Sequence, residues 1–238
     1  MTGSPEFANT RWSVVLRAKD ESSRDQMQAM EALCRDYWYP LYFYARRQGK
    51  AVHDAQDLVQ GFFARLLEKN YLDSVEAERG KFRSFMLAAF TNYLCDVHRA
   101  AGTRKRGGGT PHLSIDELDA ENRYALEPAD NRSPDRAFEK RWAETVLARS
   151  LAKLRAEFDG SGKQQRFDLL KPFLLRDKES SYEQTGVALG MSTAAVRSAI
   201  HRLRERFHAI FRAEIMQTVS DLSEVDDEIR HLFQALAG

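Results

Sequence analysis

Apolar residues recur at intervals of three and four along most of this 238-residue chain, a period that predicts α-helices. The longest runs of this kind cover residues 12–18, 27–46, 55–69, 82–99, 136–154 and 182–211. Amphipathic helices must bury their apolar stripes against one another. The sequence therefore predicts an all-α protein, with Pro40 kinking or dividing the second run.

A basic, glycine-rich stretch followed by an acidic one divides the chain. Gly102 is followed by a run of three basic residues, a run of three glycines and Pro111, a composition that ends helices. We expect residues 107–135 to form an acidic linker with at most short helical pieces. It would join a four-helix bundle in residues 8–106 to a second small helical domain in residues 136–212.

Composition excludes several classes of protein. The chain is 43% hydrophobic and 30% charged, and it has no apolar run long enough to cross a membrane, so we expect a soluble cytoplasmic protein with no membrane partner. Cys34 and Cys95 have no ligand-spaced partners, which favours reduced core thiols over a metal site, and no cofactor is expected. Residues 1–7 resemble an expression-vector scar, which places the native start near Ala8.

Two helices separated by a tight turn predict a helix-turn-helix within residues 182–211. The first helix is expected at Tyr182–Leu189 and the second at Thr193–Phe211. Gly190 suits the left-handed conformation that ends a helix, and Ser192 suits an N-cap. Such a pair inserts its second helix into the DNA major groove.

The second helix of this pair carries one acid and many basic or polar groups. The groups expected on its exposed face are Arg197, Ser198, His201, Arg202, Arg204 and Arg206. Side chains in the N-terminal half of such a helix meet base edges, which makes Arg197, Ser198 and His201 the base-reading candidates, with Arg202 shared between bases and backbone. The alternative is an ordinary basic surface helix.

Cations gather at the end of the first domain, where no acid stands between Val97 and Ile115. Cations, an amide and aromatic rings together are typical of single-stranded DNA binding. The clustered cations are Arg99, Arg104, Lys105 and Arg106. The preceding helix adds Arg83, Asn92 and His98 beside the rings of Phe82, Phe90 and Tyr93. The alternative is a solvated helix end with its aromatic residues in the core.

The order of these features resembles an extracytoplasmic-function (ECF) sigma factor of bacterial RNA polymerase. The resemblance covers about residues 11–212 and depends on Asp54-Ala55-Gln56-Asp57-Leu58-Val59-Gln60, Phe82-Arg83-Ser84-Phe85 and the run from Ser192 to Ser198. It implies a non-enzymatic subunit that brings core polymerase to promoters, melts the minus-ten element and reads the minus-thirty-five element. Residues 8–106 would be region two and residues 136–212 region four.

The resemblance also assigns roles to residues. Contacts to the clamp helices of the largest polymerase subunit would come from Asp54, Asp57, Leu58, Gln60, Phe62 and Phe63, which accounts for an apolar stripe wider than a monomer core needs. Minus-ten DNA would meet Lys81, Arg83, Asn92, Arg99, Arg104, Lys105 and Arg106, and the loop 70–81 would capture a flipped base. Minus-thirty-five DNA would meet Ser192, Thr193, Arg197, Ser198, His201 and Arg202.

Two features depart from the family pattern. Gly61 stands where members usually carry an acid, so docking on polymerase is expected to need added negative charge, and a Ser/Thr kinase is a candidate activator. Residues 213–238 form an acidic amphipathic extension. It is expected either to cap the core of the second domain, or to shield the basic recognition helix or mediate dimerisation.

One function of another class remains open. A helix-turn-helix repressor or activator that works without core polymerase would bind a palindromic duplex site as a dimer. An enzyme is not expected, because the chain has no glycine-rich phosphate loop and no His-Glu-x-x-His motif.

Overall fold

The computed structural model describes residues 24–67, 81–103, 121, 123–125, 133–159, 163–174 and 182–237. These residues are almost entirely helical and contain no strand, although one isolated antiparallel bridge pairs Lys81 with Val219. The all-α prediction is confirmed. The run predicted at 12–18 and the loop 70–80 lie outside the described residues. Within the described ranges, no helix combines the length and apolarity that crossing a membrane requires.

Eight α-helices are present in the described part of the chain. They are α1 (Arg24–Arg47), α2 (Val52–Leu67), α3 (Phe82–Thr103), α4 (Pro134–Asp159), α5 (Gln164–Leu170), α6 (Tyr182–Leu189), α7 (Thr193–Met216) and α8 (Val225–Ala237). Short 3-10 turns at Lys171–Phe173 and Leu222–Glu224 follow α5 and precede α8.

The chain divides into two compact units whose boundaries differ from the predicted domains. Unit 1 comprises Met1–Glu144 together with Met216–Gly238, and unit 2 comprises Thr145–Ile215. The start of α4 and the whole C-terminal extension therefore belong with the first unit. No glycine or proline marks these boundaries, because they fall inside or at the end of continuous helices.

The central helix of unit 1 is α1. Every residue from Asp36 to Ala45 is buried, as expected of a helix that is covered on all sides. Helix α1 continues through Pro40 rather than ending there, so the predicted division at this proline is wrong. Gly49, with a φ of 82°, takes the left-handed conformation after the last turn, and the N–H of Lys50 donates to the carbonyl of Ala45 at 3.2 Å.

Aromatic packing on α1 joins the other parts of unit 1. The Tyr37 ring stacks on Trp142 of α4 at 4.4 Å and meets Phe82 of α3 edge-on at 5.5 Å. A described piece of the predicted linker also packs here, because the Arg123 guanidinium lies 3.9 Å from the Tyr39 ring. The Oε1 atom of Glu121 accepts a hydrogen bond from Arg46 at 3.0 Å. Part of the linker is thus an element of unit 1.

Unit 2 is a small helical core built around α7. Its buried residues come from α4, α5, α6 and α7 and the short 3-10 turn: Leu154, Phe167, Leu170, Phe173, Tyr182, Val196, Ala199, Ile200, Leu203, Phe207 and Ile210. Helix α5 ends at Leu170, where the chain tightens into the 3-10 turn that contains Pro172. Proline cannot donate the next α-helical hydrogen bond.

The two cysteines occupy different environments. Cys34 is buried in α1, and burial raises its pKa to about 11. Cys95 is exposed on α3, so the prediction of a core thiol is right for Cys34 and wrong for Cys95. Neither forms a disulfide bond.

Candidate nucleic-acid interface

Helix α2 presents a polar outer face and buries its aromatic face. Asp54 and Asp57 are exposed and Leu58 is partly exposed. The helix begins at Val52, so Asp54 lies in its first turn. A carboxylate in this turn still complements the positive end of the helix dipole.

Three residues that the resemblance assigned to the polymerase surface are buried. Gln60 is 4% exposed, and Phe62 and Phe63 are fully buried. The Phe62 ring lies 5.2 Å from Phe90 of α3 and 5.5 Å from Phe63. The wide apolar stripe of α2 is therefore core, and the prediction of a partner contact is wrong for these three side chains. Of the six predicted contact residues, Asp54, Asp57 and Leu58 retain exposed surface.

Gly61 is explained by a close neighbour on α3. A Cβ atom built on Gly61 would overlap the hydroxyl of Tyr93. Tyr93 is held by neighbours, because its ring lies 5.9 Å from Phe62 and the guanidinium of Arg65 lies 5.8 Å from its centre. Burial raises the pKa of Tyr93, while the positive charge of Arg65 opposes that shift. Any side chain at position 61 must move this tyrosine.

The start of α3 holds a charged cluster that the sequence did not predict. The Arg83 side chain is only 5% exposed: its Nε donates to Glu228 of α8 at 2.7 Å and its Nη1 to Glu139 of α4 at 2.7 Å. Lys81 Nζ lies 2.9 Å from the second oxygen of Glu228. The C-terminal extension thus binds Arg83 and Lys81, which the resemblance assigned to minus-ten DNA.

The electrostatics of this cluster favour the charged forms. Burial by itself raises the pKa of Glu228, but hydrogen bonds and positive charge from Arg83 and Lys81 outweigh it and leave that pKa below its usual range. Burial likewise lowers the pKa of Arg83, and the carboxylates of Glu228 and Glu139 more than reverse this. Charges removed from water need such partners.

The C-terminal extension is part of unit 1. Its segment from Met216 pairs with the start of α3, where the N–H of Phe82 donates to the carbonyl of Thr218 at 2.9 Å. Val219, Val225 and Leu232 are buried. The expectation that the extension caps the core of the second domain is therefore wrong. Glu228 lies on the apolar stripe of α8. An acid in such a stripe was the sequence feature that could have indicated a contact with buried cations.

The other minus-ten candidates are partly described. Asn92 and Arg99 are exposed on α3, and Arg99 Nη1 lies 3.4 Å from Asp96. Arg104, Lys105 and Arg106 lie outside the described residues. The structure thus leaves two of the expected strand-binding side chains on the surface and brings two others, Lys81 and Arg83, under α8.

In unit 2 the helix-turn-helix has the predicted geometry. Helix α6 spans Tyr182–Leu189 and α7 begins at Thr193, as expected, although α7 extends to Met216. Gly190 has a φ of 63°, the left-handed conformation predicted for it. The Ser192 hydroxyl accepts from the N–H of Ala195 at 3.3 Å, so Ser192 caps α7. Gly186 is needed for close approach, since a Cβ there would lie 2.7 Å from the Met191 carbonyl oxygen.

The exposed face of α7 carries the predicted base-reading side chains. Arg197, Ser198, His201 and Arg202 are all exposed, while Thr193 is partly exposed. Arg202 Nη1 donates to the Ser198 hydroxyl at 2.9 Å, and His201 Nε2 lies 3.4 Å from Glu205. The buried face of the same helix is apolar at Val196, Ile200 and Leu203.

Two arginines of α7 bind within the protein. Arg204 is half-buried, and its Nε and Nη2 donate to the carbonyl of Phe173 at 3.0 and 2.8 Å. Arg206 is held by Glu157, with Nε at 3.0 and 2.9 Å from its two oxygens. The expectation of an exposed side chain is thus corrected at Arg204, whereas Arg206 is exposed as predicted and pairs with Glu157.

Comparison with known proteins finds a distant similarity to a transcription protein. The ECF RNA polymerase sigma factor SigE of Mycolicibacterium smegmatis is 27% identical over 183 residues, covering 76% of this chain and 60% of that protein. The chain thus spans about three fifths of the length of this relative. No family model matches the chain, and no solved structure matches it.

Proposed function

We propose that the protein is a sigma-type specificity subunit that brings RNA polymerase core to promoter DNA. The observation that carries this proposal is the N-terminal half of α7, where Arg197, Ser198, His201 and Arg202 are exposed on the second helix of a helix-turn-helix. The similarity to a sigma factor supports the same role. The protein acts by binding and not by catalysis.

Under this proposal α7 reads the minus-thirty-five element as duplex. A helix fits the major groove, and arginine and histidine donors meet acceptors on guanine and on phosphates. Ser192 and Thr193, at the start of α7, bind the backbone, where the helix N-terminus also favours a phosphate. Arg204 does not take part because it is half-buried and bound to the Phe173 carbonyl. Arg206 lies further along α7 and pairs with Glu157, so we expect it to contribute little.

Unit 1 supplies the contacts to polymerase and to the opened strand. Asp54, Asp57 and Leu58 on the outer face of α2 meet basic groups of the polymerase clamp helices, with two carboxylates beside a partly exposed apolar side chain. Asn92 and Arg99, together with the cations at 104–106, guide the minus-ten strand. Cations and amides that follow a strand without regard to sequence are typical of such channels.

Transcription in vitro tests this proposal. The purified chain and core polymerase are incubated with promoter fragments from a genomic library, and transcripts are sequenced. Promoter-dependent transcripts that are lost in Arg197→Ala and Arg202→Ala, but kept in Arg206→Ala, are the expected result. Duplex binding as a dimer without any affinity for core polymerase would instead show a repressor or activator.

Activation by a Ser/Thr kinase remains a separate part of the proposal. It requires that the two exposed carboxylates of α2 supply too little negative charge for tight docking on core polymerase, because Gly61 adds no charge. A phosphate adds about two negative charges. Pull-down of core polymerase by chain produced with and without a co-expressed Ser/Thr kinase tests this, and equally strong capture in both samples would contradict it.

A further inference from the structure

We infer that the C-terminal segment 216–237 is an intramolecular competitor of single-stranded DNA, with Glu228 in the place of a DNA phosphate at the start of α3. The inference deepens the proposed function, on which it rests, because it assigns a regulator to the strand-binding part of unit 1. The groups that it occupies are Lys81, Arg83 and the first backbone N–H of α3.

The start of α3 has the donors that a phosphate needs. A helix N-terminus offers backbone N–H groups and a positive dipole end, and an arginine and a lysine beside it add two charges. All three kinds of donor converge here on one segment of the chain. Arg83 Nε and Nη2 lie 2.7 and 3.3 Å from the two oxygens of Glu228, and the Phe82 N–H donates to Thr218 at 2.9 Å.

Glu228 binds these donors in the way that a phosphate oxygen pair would. Arg83 binds both of its oxygens and Lys81 also binds Oε2, and the side chain is 1% exposed. A carboxylate costs much free energy to bury, and it is stable here only because it has these partners. When the segment leaves, Glu228 is hydrated again and a DNA phosphate takes its place. Arg83 and Lys81 therefore exchange one anionic partner for another.

The rest of the segment suits a competitor of nucleic acid. Residues 216–237 contain five carboxylates and one arginine. Asp226 and Asp227 are exposed on α8, so bound DNA would meet a negative surface next to the cations that it requires. DNA and the docked segment therefore exclude each other by charge as well as by occupancy.

Neighbouring charges keep Arg83 in position when the segment leaves. Glu139 of α4 holds Arg83 Nη1 at 2.7 Å independently of α8, and its other oxygen lies 3.1 Å from His231 Nε2 of α8. Undocking of α8 thus removes Glu228 and His231 from the cluster but leaves the Arg83–Glu139 pair. The guanidinium then has one face toward α4 and one face open to a strand.

A matched pair of variants tests the competition. Glu228→Gln removes the charge that faces Arg83, and Asp227→Asn removes one charge from the exposed face of the same helix, where Asp227 pairs with Arg230. Binding of the full chain to fluorescein-labelled single-stranded oligothymidine is measured by anisotropy. We expect Glu228→Gln to bind about tenfold more tightly than wild type, and Asp227→Asn to stay within about twofold. Equal affinities for the two variants would overturn the inference.

A covalent lock tests it without removing Glu228. Lys81 and Val219 are directly opposed across an antiparallel bridge, and opposed residues in such pairs are close enough for a disulfide. Lys81→Cys and Val219→Cys are combined with Cys95→Ser, because Cys95 is exposed. Both redox forms lack Lys81, so the comparison measures the exposure of Arg83 and the start of α3. The reduced form should bind the oligothymidine about tenfold more tightly than the oxidised form, since only the reduced form releases the segment. Identical binding by the two forms would overturn the inference.

The two proposals fail in different ways. If the chain directs transcription by core polymerase while the locked and unlocked forms bind the oligothymidine equally, the proposed function stands and the competition is wrong. If no form binds the oligothymidine and none directs transcription, both are wrong.

Discussion

Single acidic residues on apolar helix faces explain much of what distinguishes this chain. Glu228 lies among the buried residues of α8, and Glu214 lies among those of α7, where Arg149 and Lys153 pair with it. A carboxylate in an apolar stripe is stable only with a cationic partner, so each marks a specific contact. The sequence showed the stripe and the acid but not the partner, because the partner lies 145 residues away in the case of Arg83.

Acid should weaken unit 1 through Glu228. The pKa of Glu228 is lowered in the folded protein, so its stabilising effect is complete above its ordinary pKa of 4.5 and is lost as pH falls through the lower folded value. We expect the urea midpoint to fall between about pH 5 and pH 3, and to fall less steeply in Glu228→Gln. Chemical denaturation across this range measures it. Parallel pH curves for the two proteins would contradict the prediction.

The Gly61–Tyr93 contact should appear as a coupling between two substitutions. Alanine in a helix is about 1 kcal/mol more favourable than glycine, but a Cβ at position 61 displaces the Tyr93 hydroxyl. We expect Gly61→Ala to destabilise the wild type and to stabilise a Tyr93→Phe background by about 1 kcal/mol. Urea unfolding of the wild type, the two single variants and the double variant measures the four free energies of unfolding. The same effect of Gly61→Ala in both backgrounds would show that the hydroxyl is not the obstacle.

At the scale of elements, the arginines of α7 divide into two groups by what they touch. Arg197 and Arg202 are exposed toward the N-terminal half, whereas Arg204 joins the helix to the Phe173 carbonyl. Helical period alone predicted the exposed side of α7. It did not separate these groups, because an arginine side chain is long enough to reach a carbonyl of another element, here the 3-10 turn that contains Phe173.

Replacing one arginine from each group should separate binding from stability. Arg204→Ala leaves the Phe173 carbonyl without a charged donor and should lower the free energy of unfolding by about 1.5–3 kcal/mol. Arg202→Ala should change it by less than about 0.5 kcal/mol but weaken duplex DNA binding about tenfold. Thermal unfolding and anisotropy with duplex DNA at low salt measure the two effects. Loss of stability in Arg202→Ala with no loss of binding would contradict the assignment.

At the scale of the whole molecule, described residues from distant parts of the chain contribute to one unit. Residues 216–237 contact α3 and the start of α4, as in the Arg83–Glu228 pair across 145 residues, so unit 1 depends on contacts of very long sequence separation. Such contacts form late in folding because closing the intervening chain costs entropy. Unit 2, whose residues are continuous from Thr145 to Ile215, is built from contacts of shorter sequence separation, such as the 49 residues between Arg206 and Glu157.

Ending the chain at Ile215 should therefore affect one unit and spare the other. The truncation removes buried Val219, Val225 and Leu232 and leaves Arg83 without Glu228. We expect the free energy of unfolding of unit 1 to fall by several kcal/mol, as for a broken buried ion pair, while that of unit 2 is unchanged. Hydrogen exchange by mass spectrometry resolves the two. Retained protection of α3 in the truncated chain would show that the extension is not part of this core.

The sequence by itself determined the helical class, the bounds of α6 and the start of α7, and the exposed polar face of α7, because helical period, caps and a left-handed glycine are local properties. It also indicated the buried stripe of α2, although not that Phe62 and Phe63 turn entirely inward. Only the tertiary structure decided which unit the C-terminal extension joins and which cations it covers. The reason is that an amphipathic helix shows what it must bury, whereas the surface that buries it is set by residues far away in the chain.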